Sequence, residues 1–144
     1  MDQVEILLIE DSPLDAELAM TGLTRSNVAT RVTWVKDGQQ ALDYLFREGD
    51  YAAREDVPPR LVMLDLKMPK IDGIEVLKRM KSDERTRHIP VVVMTSSEEQ
   101  SDVVKTYDLG VNSYVVKPLD FAQFTDVSRN AALYWLLFNR PPPK

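Results

Sequence analysis

Residues 60–73 read Arg60-Leu61-Val62-Met63-Leu64-Asp65-Leu66-Lys67-Met68-Pro69-Lys70-Ile71-Asp72-Gly73, and this stretch decides the fold. An apolar run of four stops at a carboxylate, and Pro69 and Asp72-Gly73 follow. A short apolar run closed by turn residues predicts a buried strand. Such strands are apolar throughout when helices cover both faces of their sheet. Asp65 then stands at the carboxyl edge of the sheet, where open α/β sheets bind ligands. Taken by itself, Asp65 serves equally well as a turn cap. The other strand ends decide between the two.

Working outward, residues 4–9 hold Ile6-Leu7-Leu8-Ile9, a second buried strand closed by Glu10-Asp11. Ser12-Pro13-Leu14-Asp15 predicts a helix start, with Ser12 as N-cap, Pro13 in the first turn and Asp15 at capping-box spacing. Ala16, Ala19 and Leu23 carry that helix to about Arg25. Residues 30–35 are β-rich but mixed in polarity, as in an edge strand, and Asp37-Gly38 turns the chain. Ala41, Leu42, Leu45 and Phe46 lay one apolar face on a second helix. Residues 47–59, with Gly49 and Pro58-Pro59, form a long loop before the opening stretch. Val76, Leu77 and Met80 face inward on a third helix. Residues 90–94 form a fourth strand that ends in Thr95-Ser96-Ser97, and Glu98-Glu99 opens a fourth helix that stops near Gly110. Tyr114-Val115-Val116 is a short fifth strand ending in Lys117-Pro118. A last helix runs from Asp120 to about Asn139, and residues 141–144 are a short Pro-rich tail. Strands and helices that alternate five times, without repeat or linker, predict one domain over residues 1–144. The class is α/β, a doubly wound five-stranded parallel sheet with five helices on both faces.

Composition narrows the chemistry. The 144 residues suffice for one domain with a core, and 44% hydrophobic with 28% charged residues is ordinary for a soluble protein. A net charge of −5 without a basic block argues against nucleic acid as partner. No cysteine is present, which excludes disulfides, thiol catalysis and Cys-based zinc sites. His88, the one histidine, lies in a polar loop and reads as solvated. The N-terminus lacks a signal peptide's basic and apolar regions. The longest apolar run is far short of the ~20 residues of a membrane span. A cytoplasmic location, with no membrane association, is the expectation.

The strand ends now read together. The first ends in Glu10-Asp11, the third in Asp65, the fourth in Thr95 and the fifth in Lys117. In the strand order 2-1-3-4-5 the first and third strands are neighbours at the switch point, so all of these converge on one crevice. Any one of them taken separately is an ordinary cap or loop residue. Three clustered carboxylates repel one another, and a hard cation such as Mg²⁺ relieves them. Asp65 at the centre suits a carboxylate nucleophile toward phosphorus, with Lys117 and Thr95 on the phosphoryl oxygens. No Gly-rich phosphate loop is present, so the phosphoryl donor is not a nucleotide held by this chain.

Glu10-Asp11, the block from Leu64-Asp65 through Lys67-Met68-Pro69 to Asp72-Gly73, Val93-Met94-Thr95-Ser96 and Tyr114-Val115-Val116-Lys117-Pro118 together resemble the receiver domain of two-component response regulators. The resemblance covers nearly the whole chain. It implies a flavodoxin-like fold, phosphorylation of Asp65 by a sensor histidine kinase, and no enzyme activity beyond self-phosphorylation and self-dephosphorylation. It implies metal ligation by Asp11, Asp65 and the backbone carbonyl of Lys67, with Glu10 acting through water. It also implies that Thr95 and Tyr114 form a switch pair. The loop at 47–59, Lys105-Thr106-Tyr107 and the aromatic last helix are similar to the stand-alone regulators that serve bacterial and cyanobacterial phytochrome kinases. That family dimerises through its fourth helix, fifth strand and fifth helix.

This chain has its own reason to expect an interface there. Phe121, Phe124, Ser128, Ala131 and Trp135 are the stripe predicted to face the sheet, which leaves Leu133, Tyr134, Leu136, Leu137 and Phe138 as candidates for a contact with a second copy. Lys67 and Ser97, each two residues past a site residue, border the mouth and are candidates for tuning the lifetime of phospho-Asp65. Neither is a clear base for a hydrolytic water, so slow self-dephosphorylation is expected. The alternative functions are a shuttle that passes the phosphoryl group to another histidine and, less well supported, an aspartyl-phosphate phosphatase. A phosphatase wants an acid two residues past the nucleophile, where this chain has Lys67.

Overall fold

The parallel pairings of this sheet follow from strands that are apolar on both sides. The computed structural model describes residues 5–25 and 31–142. The expected starts of the first and second strands at Val4 and Thr30, the N-terminal residues 1–4 and the end of the tail lie outside them. In chain order the elements are β1 (Glu5–Ile9), α1 (Pro13–Arg25), β2 (Arg31–Val35), α2 (Gly38–Phe46), a 3-10 turn (Gly49–Tyr51), β3 (Leu61–Leu64), α3 (Gly73–Ser82), β4 (Val91–Thr95), α4 (Gln100–Asp108), β5 (Ser113–Val116), α5 (Phe121–Leu133) and a π turn (Tyr134–Phe138). The sheet is ordered β2-β1-β3-β4-β5 and every pairing is parallel. This is the doubly wound arrangement expected from the strand pattern, and the flavodoxin-like fold that the resemblance implies.

Alternate residues of the central strands feed two cores. Leu7, Ile9, Val62, Leu64, Val91 and Val93 pack with Ala41, Leu45, Val76, Leu77 and Met80, on the side of α2 and α3. Ile6, Leu8, Leu61, Met63, Val92 and Met94 pack with Ala16, Ala19, Leu23 and Phe124, on the side of α1 and α5. Both faces are buried, so strict hydrophobic–polar alternation is lost. The helix starts obey their local chemistry. Ser12 Oγ accepts from Asp15 N at 3.3 Å, Asp37 from Gln40 N at 2.8 Å, and Asp72 from Glu75 N at 2.9 Å. At Gly73 a Cβ would come within 2.2 Å of the Asp65 carbonyl, so only glycine lets α3 start this close to the end of β3. None of the described helices is long and apolar enough to cross a membrane.

Three local expectations are corrected. The loop at 47–59 contains the 3-10 turn, packed by the Tyr44 and Tyr51 rings at 5.0 Å. Helix α4 starts at Gln100 rather than at Glu98-Glu99, because Glu99 stays extended as the N-cap and Ser97 bonds forward to Asp102. The last helix does not continue as one α-helix to Asn139. Its sheet-facing stripe is Phe124, Thr125, Ser128, Ala132 and Leu136, while Phe121 is 60% exposed and Ala131 and Trp135 are half-buried. Phe124, Ser128, Ala132 and Leu136 recur at steps of four, which keeps them on one face and carries Leu136 inward. Leu136 is therefore a core residue and not a contact candidate, and Leu133 is half-buried. Tyr134, Leu137 and Phe138 remain exposed.

Candidate functional site

Backbone bonds at the carboxyl edge of the sheet set the site. Asp65 N donates to Ile9 O at 3.0 Å and Glu10 N to Val35 O at 3.1 Å, which extends the ladder by one residue past β3 and β1. Lys117 N donates to Thr95 O at 2.7 Å, which does the same past β5. The Trp34 indole donates to Glu10 O at 2.7 Å and braces that turn from the edge strand.

The side chains meet as the strand ends predicted. Carboxylate oxygens of Glu10, Asp11 and Asp65 all lie within 4.8 Å of one another. Glu10 and Asp65 are buried and Asp11 is exposed, so the cluster opens to solvent on one side. The Lys117 ammonium enters from β5 and lies 2.6 Å from Glu10 Oε1, 2.8 Å from Asp15 Oδ2 and 3.3 Å from Asp65 Oδ2. Burial works to lower the Lys117 pKa, but the bonds to Asp15 and Glu10 and the charge of Asp65 hold it above its ordinary value. Burial pushes the Glu10 carboxyl up to about 8; the charge of Asp65 adds to this and the bond to Lys117 opposes it. Even with Glu10 protonated, one ammonium does not compensate Asp11, Asp15 and Asp65. An all-oxygen donor set with an open side and surplus negative charge fits a hard divalent cation.

The remaining expected residues form a second group. Thr95 is fully buried, and its Oγ accepts from Ser97 N at 3.4 Å. The Tyr114 hydroxyl donates to Ser97 O at 2.9 Å, and burial raises its pKa. Ser97 Oγ donates to Asp102 Oδ2 at 2.6 Å. The Lys67 ammonium lies 3.2 Å from the same oxygen, although its side chain is 59% exposed. The Ser97 hydroxyl, and after it Lys67, hold the Asp102 carboxyl below the usual carboxylate range against the effect of burial. His88 is an exposed loop residue, as expected, and takes no part.

Sequence reasoning missed Asp15 and Asp102. In the sequence, Asp15 reads only as part of the helix cap. Its place in the first turn of the helix that follows Glu10-Asp11 was a usable signal that it reaches the same crevice. Asp102 carried no local signal, because its partners come from two other loops.

Residues 6–129 match the response regulator receiver domain, and the chain belongs to that family of two-component signalling proteins. Within it, this chain is 43% identical over 142 residues to a probable methanogenesis regulatory protein, FilR2 of Methanothrix harundinacea, covering 98% of this chain and 89% of FilR2. Among solved structures it is similar to the phosphorylated cyanobacterial phytochrome response regulator RcpA, with a TM-score of 0.92 and 37% identity over 99% of this chain and 100% of that one. The bacteriophytochrome response regulator RtBRR superposes with a TM-score of 0.79 and is 52% identical, covering 99% of this chain and 86% of that one. The Mn²⁺-bound form of Rcp1, a Synechocystis response regulator, superposes with a TM-score of 0.90 at 34% identity, covering 97% of this chain and 99% of that one.

Proposed function

We propose that this chain is a single-domain, cytoplasmic phosphorylation switch that accepts a phosphoryl group on Asp65 from a sensor histidine kinase. What supports this most is the Lys117 ammonium 3.3 Å from the Asp65 carboxylate, with Glu10 and Asp11 beside it. An Asp65 oxygen attacks phosphorus, the donor's P–N bond breaks, and the imidazole leaves with the bonding pair. Lys117 pairs with one phosphoryl oxygen and the Thr95 hydroxyl donates to another. Mg²⁺ is the proposed cofactor, held by Asp11, Asp65 and the Lys67 carbonyl, with Glu10 acting through water; when bound it neutralises charge on the transferring group.

Drawing the Thr95 hydroxyl toward the phosphoryl group loosens its contact with Ser97 N. Ser97 O is the acceptor of Tyr114, so that tyrosine is the second member of the switch. The names of RcpA and RtBRR favour a phytochrome-type kinase as donor. FilR2 is named for the regulation of methanogenesis, a different process. Exposed Tyr134, Leu137 and Phe138, together with exposed Val104, Tyr107 and Val116 of α4 and β5, are the surface proposed to meet a second copy.

The test is incubation with Mg²⁺ and acetyl phosphate, read by intact mass. Gain of one phosphoryl group by the wild type and none by Asp65→Asn supports the switch. Rapid continuous release of phosphate would point to a phosphatase instead, and no labelling would leave only a binding module.

A further inference from the structure

The geometry points to Asp102 as a positioning residue that holds the Lys67 ammonium away from the phosphoryl site until Asp65 carries the group. This rests on the proposed phosphorylation of Asp65. Asp102 sits in the first turn of α4 and is 5% exposed. One of its oxygens takes both the Ser97 hydroxyl at 2.6 Å and the Lys67 ammonium at 3.2 Å. Lys67 belongs to the loop after β3, two residues past Asp65, and its own N–H donates to Asp65 Oδ1 at 3.4 Å. A single carboxylate thus clasps the loop after β3 to the loop after β4.

The clasp is built to open from one side. A buried carboxylate is costly to leave without its partners, so Asp102 holds whatever cation it has. The Lys67 side chain is largely in water and is attached next to the group that gains charge. A phosphoryl group on Asp65 adds charged oxygens there, and they compete with Asp102 for the ammonium. When Lys67 leaves, Asp102 keeps Ser97 but the tie between the loops is lost. Ser97 also contacts Thr95 through its N–H and Tyr114 through its carbonyl. Release is therefore delivered to both members of the proposed switch. In its second position Lys67 neutralises phosphoryl oxygens and slows loss of the group, and Asp102 opposes it.

The prediction is a non-additive cycle in the rate of phosphate loss from labelled protein. D102N frees Lys67 and slows loss about threefold, K67A speeds loss about threefold, and K67A/D102N behaves as K67A, since Asp102 acts through Lys67. D102E returns the rate toward that of the wild type. Additive effects, or faster loss in D102N, overturn the inference. Because D102N disturbs a buried group, a second measurement uses K67A, whose truncated side chain is exposed. Hydrogen exchange at residues 97–103 of unphosphorylated K67A rises to the level of phosphorylated wild type, and unchanged protection overturns the clasp. If the wild type takes no label, the reading of Asp65 fails and this one with it. If it labels but the cycle is additive, only the clasp fails.

Discussion

At Glu10, burial and the bond to Lys117 act in opposite senses. Its carboxyl is pushed up from 4.5 to about 8 by burial, against the bond to Lys117 and aided by the charge of Asp65. Between those values the folded, metal-free protein holds a proton that the unfolded chain has released. Unfolding then releases a proton, so stability is full below about 4.5 and falls as pH rises toward 8. Denaturant midpoints of the metal-free protein should therefore decrease across this window, and Glu10→Gln, which cannot titrate, should flatten the slope. Midpoints that rise with pH over the same window would contradict the assignment. Asp65, Glu10-Asp11 and Lys117 were legible as residues because each terminates a recognisable apolar run. Asp15 was half-legible, since one residue serves two purposes: its N–H completes the Ser12 cap while its carboxylate reaches Lys117 across the site.

At the level of elements, the strands announced themselves and the last helix did not. Runs such as Leu61–Leu64 and Val91–Thr95 are buried on both sides, and a parallel sheet covered by helices is the arrangement that buries both. Within α5 the buried face follows steps of four, Phe124, Ser128 and Ala132, which sets Ala131 to one side, and the pitch changes over Tyr134–Phe138. There the Asn139 N–H reaches back to Tyr134 O at 2.7 Å in an i→i+5 turn. The periodicity of side chains does not report such a change of pitch. The correction is testable by truncation. Leu136→Ala should cost about 2–5 kcal/mol in unfolding free energy, as a buried leucine does, whereas Phe138→Ala should lie within about 0.5 kcal/mol of wild type in the monomer. Equal costs at the two positions would place both in the same environment and undo the revised stripe.

For the whole molecule, the order β2-β1-β3-β4-β5 converts four separate strand ends into one crevice, and this was the part of the site that the sequence made plain. What stayed hidden were the contacts that join loops to one another. The oxygen of Asp102 shared by Ser97 and Lys67 depends on how two loops pack, and no local pattern in either records it. The same pairing of β4 with β5 sets Thr95 opposite Val116 and Val93 opposite Tyr114, so the ends that carry Thr95 and Lys117 are held together in one ladder. All of this depends on Asp65 being the residue that carries the phosphoryl group. Borohydride reduction of labelled protein converts an aspartyl phosphate to homoserine, and peptide mapping then locates it. Homoserine at position 65, and at no other aspartate, is the predicted result. Homoserine at Asp11 or Asp15 with Asp65 unmodified would contradict the assignment.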